Sequence, residues 1–226
     1  MNRWMIRTQI ALFAVWILAP LSLTACTAGG ALDKVSSSPT TAYNVYIEGS
    51  YAYVTNNDGV IIFDVEQPER PQRVGKILAG TTFGVFVTND LVYVAGGSGL
   101  SIADVRDPTD PQPLGEYASA GSPGQVRVDV SYAYLATSRG LEIVDVRDPS
   151  LPTLAGMYIS SGGAQSVAIH DNTVYLANPS VGLEVIDVTV PSSPKKIGAV
   201  SGTQGAWDIH VRGEVAYVGC HNRGVR

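Results

Sequence analysis

A thirteen-residue block recurs four times in this chain of 226 residues, and its spacing leaves few architectures open. The copies run Gly59–Pro71, Gly99–Pro111, Gly140–Pro152 and Gly182–Pro194. The third reads Gly-Leu-Glu-Ile-Val-Asp-Val-Arg-Asp-Pro-Ser-Leu-Pro. Counted from Asp64, Asp104, Asp145 and Asp187, a Gly stands five residues before and two Pro stand four and seven after in every copy. The steps from Asp to Asp are 40, 41 and 42 residues. A repeat of that length is one supersecondary unit that must be covered by its neighbours to bury its apolar surface.

From Tyr43 onward each unit carries four strand-like pieces separated by turn signals. The first alternates apolar residues: Val45/Ile47, Val85/Val87, Val126/Val128, Val167/Ile169 and Ile209/Val211. The second carries an aromatic at Tyr53, Tyr93, Tyr134, Tyr175 or Tyr217, the third is the recurring block, and the fourth holds Gly75, Gly115, Gly156 or Gly198. Runs such as Val60-Ile-Ile-Phe63 are apolar on both faces, as strands sandwiched between sheets must be. A helical solenoid would show an apolar period of about 3.6 residues, and none is present. The pattern predicts an all-β fold, a β-propeller of four-stranded antiparallel blades. Its units span 43–82, 83–123, 124–164 and 165–204, with a partial fifth at 205–226. At a strand end before a Pro-containing turn, Asp64, Asp104, Asp145 and Asp187 are read as structural: each carboxylate accepts backbone N–H bonds of an Asx turn. The Pro pairs stiffen that turn, and the repeated tyrosines are packing residues.

The Asp-Val-x-x-Pro-x-x-Pro block after an apolar strand resembles the LVIVD-repeat family of bacterial and archaeal surface proteins, and Leu141-Glu-Ile-Val-Asp145 is the nearest copy. Tyr51-Ala-Tyr-Val-Thr-Asn56 is similar to the related YVTN surface propellers. The resemblance implies the fold over residues 43–226 and carries no catalytic signature. In register, a fifth Asp is expected about three residues beyond Arg226. The sequence thus reads as a truncated copy of a longer ring of about six to eight blades, against a competing five-bladed form with an unfinished last blade. Residues 30–42 offer no completing strand, because Ser37 and Ser38 stand where Ile77 and Leu78 would be matched.

At the N-terminus, Arg3 and Arg7 precede the ten-residue apolar core Ile10–Ala19, the anatomy of an export signal that is too short to be read as a spanning helix. Leu23-Thr-Ala-Cys26 follows and resembles the lipobox of bacterial lipoproteins. The resemblance implies a signal peptide over 1–25, lipidation of Cys26, and a flexible tether over 26–42. It also implies a membrane partner through the lipid anchor, with the domain on the periplasmic or surface face, at the outer membrane in a Gram-negative cell. With Cys26 acylated, Cys220 is the one cysteine left and no intrachain disulfide forms.

Net charge is −5, and without Arg3 and Arg7 the remaining chain carries 13 basic against 20 acidic residues. Nucleic acid is excluded as a partner, because phosphate binding is driven by Lys and Arg. His170, His210 and His221 are scattered, His210 at a position expected to pack between blades; Cys220-His221 falls short of a zinc ligand set. No metal, cofactor or catalytic residue is assigned. Candidate ligand-binding residues lie in two loop sets expected near the propeller axis. The turns between second and third strands supply Asn56, Asn57, Asp58, Arg139 and Asn178; the stretches joining units supply Gln125, Gln165 and Gln204, with Asp208 just beyond. For each of them the plain alternative is solvent-exposed turn chemistry. The expected function is a non-enzymatic, membrane-anchored platform for a protein or extracellular ligand. The alternatives are a lactonase-like or quinoprotein-like propeller enzyme with an axial site, and a scaffold for outer-membrane assembly.

Overall fold

The computed structural model describes residues 21–25, 33–38, 41–221 and 224–225. Strands β1 (Leu21–Ala25) and β2 (Asp33–Ser38) pair only with each other. They fall in the expected leader and tether, and neither joins a blade. Blade 1 comprises β3 (Asn44–Glu48), β4 (Tyr51–Asn56), β5 (Gly59–Asp64) and β6 (Gln72–Leu78). Blade 2 follows with β7 (Thr82–Thr88), β8 (Leu91–Gly96), β9 (Gly99–Asp104) and β10 (Gln112–Ala118). Blade 3 holds β11 (Pro123–Asp129), β12 (Tyr132–Thr137), β13 (Gly140–Asp145) and β14 (Thr153–Ile159). Blade 4 holds β15 (Ser166–His170), β16 (Thr173–Asn178), β17 (Gly182–Asp187) and β18 (Lys195–Val200). Blade 5 has three strands among the described residues, β19 (Ala206–Arg212), β20 (Val215–Cys220) and β21 (Gly224–Val225).

Within every blade the strands pair antiparallel in chain order, giving an all-β propeller of five blades whose last is short of a fourth strand among the described residues. The first strands of successive blades are neighbours: β3 lies beside β7, β7 beside β11, β11 beside β15 and β15 beside β19. They are therefore the innermost strands. β6, β10, β14 and β18 form the outer rim and are mostly exposed, whereas the second and third strands between them are almost continuously buried.

Alternation along each strand gives a blade two unlike faces. Tyr53, Val60, Ile62 and Ile77 of blade 1 pack on Val85, Val87, Val92 and Val94 of blade 2. Tyr93, Leu100 and Ile102 pack likewise on Val126, Val128 and Leu135, and Tyr134, Leu141 and Ile143 on Val167, Leu176 and Ile186. The face bearing the tyrosine always looks forward, toward the next blade. Tyr53, Tyr93 and Tyr134 are thereby 3–4% exposed, whereas Tyr217 on the forward face of blade 5 is 41% exposed. His210, at a position that would pack between blades, is exposed for the same reason.

The outer strands explain two repeated residues at once. In every complete blade the register slips by one residue just before the strand-four glycine, as between Ile143 and Val144 opposite Gly156 and Leu154. The bulge turns the rim of one blade onto the proline turn of the next. A Cβ on Gly75 would stand 2.1 Å from the carbonyl oxygen of Pro108, one on Gly115 2.4 Å from that of Pro149, and one on Gly156 2.0 Å from that of Pro191. Only glycine admits that contact. Gly198 has no such neighbour; its Cβ would meet Val185 at 3.7 Å. Gly115→Ala and Gly156→Ala are each expected to lose about 1–3 kcal/mol through overpacking. Gly198→Ala should be neutral or gain about 0.4–1 kcal/mol from a stiffer unfolded chain. Thermal denaturation of the three variants checks this; equal losses at all three would remove the Gly–Pro contact as the cause.

Candidate functional site

Both candidate loop sets come to one end of the propeller and are hydrogen-bonded to each other. Thr82 Oγ1 donates to the carbonyls of Asn56 and Gly59, Ser138 N to Ser122 O, Ala164 N to Thr137 O, and Gly205 N to Pro179 O. Asn56 and Asn178 are buried and consumed in this frame. The Asn56 Oδ1 accepts Asp58 N at 2.9 Å; the Asn178 Oδ1 accepts Ser180 N and Val181 N, while its Nδ2 donates to Ser160 Oγ and Ser161 O. Asn57, Asp58, Arg139 and Gln204 are exposed on the same end. Asn57 Oδ1 accepts the Tyr43 hydroxyl at 2.6 Å, and Asp58 lies 3.7 Å from Lys76. At the opposite ends of the third strands, the Oδ1 of Asp64, Asp104, Asp145 and Asp187 each accept the N–H two residues on, at 2.8–3.1 Å. Those carboxylates hold turns far from the candidate loops.

Strand register sorts the remaining candidates. Asn44, Gly84, Gln125, Ser166 and Asp208 pair with Thr55, Ala95, Ala136, Ala177 and Gly219, all two residues past the second-strand tyrosine. These five residues share one register level at the start of the innermost strands. Gln165 lies one residue earlier in its unit, so the three glutamines do not form a set. At that level Ser166 Oγ donates to Asp208 Oδ1 at 2.8 Å, an interblade bond across sequence positions 42 apart. Two residues further on, Tyr46, Phe86, Arg127, Ala168 and His210 sit opposite the tyrosines of their own blades. Tyr46 and Phe86 meet with ring centroids 4.9 Å apart, and the Arg127 guanidinium carbon lies 5.8 Å from the Phe86 centroid. Arg127 Nη1 donates to Val126 O at 2.8 Å and to Gln125 Oε1 at 3.3 Å. Burial pushes the Arg127 guanidinium pKa down, and the charges of Asp208 and Tyr46 act in the opposite sense. Phe86 of blade 2 thus lies against Arg127, a strand residue outside the candidate loops, and Tyr46 of blade 1 and Asp208 of blade 5 are near enough to act on it electrostatically. Among the described residues no group of three or more His, Cys, Asp and Glu is placed to hold a metal ion.

The repeat matches the model of the LVIVD repeat four times, at residues 39–78, 79–119, 120–160 and 161–201. The chain belongs to the LVIVD-repeat family. No curated protein matches it. Among solved structures, the propeller is similar to the computationally designed Ika8 protein, with TM-score 0.65 and 9% identity over 80% of this chain and 56% of that one. It is also similar to a functionally unknown protein from Desulfotomaculum acetoxidans, with TM-score 0.69 and 13% identity over 81% and 64%. The designed Ika4 protein gives TM-score 0.54 and 9% identity over 65% and 89%. The LVIVD chain therefore spans about six-tenths of the first two structures, and likeness at such identities is one of fold.

Two members of the LVIVD block carry a chemistry that no motif announced. Glu142 and Glu184, each third before the repeated Asp, are fully or almost fully buried. Glu142 accepts Tyr117 Oη at 2.8 Å, Ser119 Oγ at 3.0 Å and the N–H groups of Ala120 and Gly121, so a blade 3 carboxylate holds the linker leaving blade 2. Glu184 accepts Tyr158 Oη at 2.9 Å, Lys196 Nζ at 2.8 Å and the Ser160 hydroxyl, repeating the clamp one blade later. The only sequence sign was an acidic residue inside an otherwise apolar strand. Burial alone would raise the Glu184 carboxyl pKa, but hydrogen bonds from Lys196, Ser160 and Tyr158 outweigh it and hold it below the usual carboxylate range. Burial, then the Glu184 bond, pushes the Tyr158 hydroxyl up to about 12.

A depressed folded-state carboxyl contributes stability that is complete above its unfolded pKa and lost as pH falls through the folded one. A raised tyrosine contributes stability that is complete below its unfolded pKa and lost as pH rises through the folded one. Glu184→Gln should therefore flatten the acid limb of a stability–pH profile below about pH 4.5. Tyr158→Phe should flatten the alkaline limb above about pH 10. Urea melts across the pH range check both; limbs unchanged from the parent chain would show that the clamp is not linked to protons.

Proposed function

We propose that this LVIVD propeller is a non-enzymatic interaction platform, held on a membrane by acyl groups on Cys26 and recognising a protein or extracellular ligand at the axial mouth. One observation carries the reading: five units with a common frame bring five unlike residues, Asn44, Gly84, Gln125, Ser166 and Asp208, to one level of the innermost strands. Unlike residues on a rigid repeated frame are what recognition of an asymmetric partner needs. The anchor rests on the export-signal anatomy and on Leu23-Thr-Ala-Cys26; Cys26 itself lies outside the described residues. Two or more acyl chains give stable attachment where one is marginal. The address is thus the outer membrane, in a Gram-negative cell, with the mouth free to face the periplasm or the exterior.

Expression of the full chain with a clickable palmitate analogue should label the parent and leave Cys26→Ala unlabelled, with the variant moving to the soluble fraction. Equal labelling of the two would exclude the anchor. Crosslinking from the exposed positions Asn57 and Arg139, set against the rim positions Leu114 and Leu151, should capture envelope components preferentially at the mouth. Capture independent of position would exclude the platform.

A further inference from the structure

The Arg127 guanidinium, half-buried on an innermost strand, makes no ion pair among the described residues. It belongs to the innermost strand of blade 3, with Phe86 of blade 2 against it and Tyr46 of blade 1 and Asp208 of blade 5 within electrostatic reach. Its carbon lies over the Phe86 ring, 5.8 Å from the centroid. One nitrogen, Nη1, is tied to Gln125 Oε1 and Val126 O. Nε and Nη2 have no hydrogen-bond partner among the described residues, and no carboxylate there lies within ion-pair distance of Arg127. Asp208 stands beyond ion-pair distance of Arg127, and its Oδ1 accepts Ser166 Oγ at 2.8 Å and Ile209 N at 2.9 Å.

A guanidinium taken partly out of water is costly unless an anion completes its bonds. The free Nε and Nη2 form the planar fork that matches a carboxylate with two parallel hydrogen bonds. The Phe86 ring next to the guanidinium packs on Tyr46 with centroids 4.9 Å apart at an interplanar angle of 54°, an apolar wall against which a flat or hydrocarbon group would rest. The surrounding protein is acidic, at −5 overall, so it does not gather anions unselectively. Any carboxylate that binds does so through local geometry.

We propose that Arg127 is a recognition residue at the axial mouth, taking the carboxylate of a small organic acid in a two-bond clamp with the acid's apolar part against Phe86 and Tyr46. The proposal rests on reading the mouth as the recognition face, and adds the ligand class. Gln125 is the positioning residue, since it holds Nη1 and leaves the other edge of the fork free.

Benzoate and its neutral isostere benzamide are suitable probes, titrated into the full chain in detergent micelles with arginine labelled by nitrogen-15. One Nε–H resonance, identified by its disappearance in Arg127→Lys, should shift saturably with benzoate and stay still with benzamide. Arg127→Lys, which keeps the charge and loses the fork, should weaken benzoate binding by about tenfold or more, measured calorimetrically with the micelle background subtracted. The site is overturned if that resonance does not move up to about 20 mM benzoate. It is equally overturned if benzamide shifts it as well, or if Arg127→Lys binds benzoate as the parent does. If the lysine variant fails to fold, Arg127→Gln identifies the same resonance, and the benzoate and benzamide titrations of the parent still decide. Loss of this site with position-dependent crosslinking retained would remove the carboxylate and leave the platform standing; loss of both would remove the platform.

Discussion

Everything in this propeller depends on the unlikeness of the two faces of a blade. The forward face presents a tyrosine with Leu or Ile beside it, and the backward face presents mostly Val with Ala, Leu or Ile and no tyrosine. Neither face can remain in water over that area, so each blade is stable only when stacked. A fully buried Val, Leu or Ile contributes about 1.5–3 kcal/mol, and each of the first three interfaces buries several. Exposed ion pairs such as Arg106–Asp104 are screened by solvent and contribute little. The stack is held by apolar packing, and the charged turns at its rim serve mainly to end strands where the next blade requires it.

Once the faces meet, finer contacts select one arrangement. The Pro carbonyl of a blade settles where a side chain on the preceding rim would stand, which ties the repeated Gly of one unit to the repeated Pro of the next. Between blades 2 and 3, and again between 3 and 4, a buried glutamate gathers the departing linker through a tyrosine hydroxyl and neighbouring Ser or backbone groups. Buried charges of this kind add little net stability but punish wrong arrangements, because a misplaced linker would leave a carboxylate unsatisfied. At the first interface the corresponding positions hold Ser101 and Ile77, so the polar clamp is a local addition to a frame that packs without it.

In the candidate loops, residue type says less about what is available to a ligand than what the loop itself consumes. Asn56 and Asn178 look like ligands in the sequence, yet their side chains are spent holding their own turns. Gln125, Gln165 and Gln204 look alike and fall at different register positions. Arg127 sits in an apolar alternating strand, where a charged residue reads as a packing substitution. Its importance comes from Tyr46 and Asp208, which lie far from it along the chain.

The blades, their order and their antiparallel strands are determined locally, by period-two apolar alternation, turn residues and a period near 41, and these survive in the bare sequence. So do the Asx turns, since a carboxylate reaching two residues ahead needs no distant partner. Which residues share the axis was decided only by the tertiary structure. Convergence there depends on how each sheet is rotated against the next, and that rotation follows from bulges, glycine contacts and packed side chains drawn from different units. One register step would carry the inner-strand side chains to the other face, so the approach of Arg127, Phe86, Tyr46 and Asp208 is a property of the stacked blades and of no single repeat.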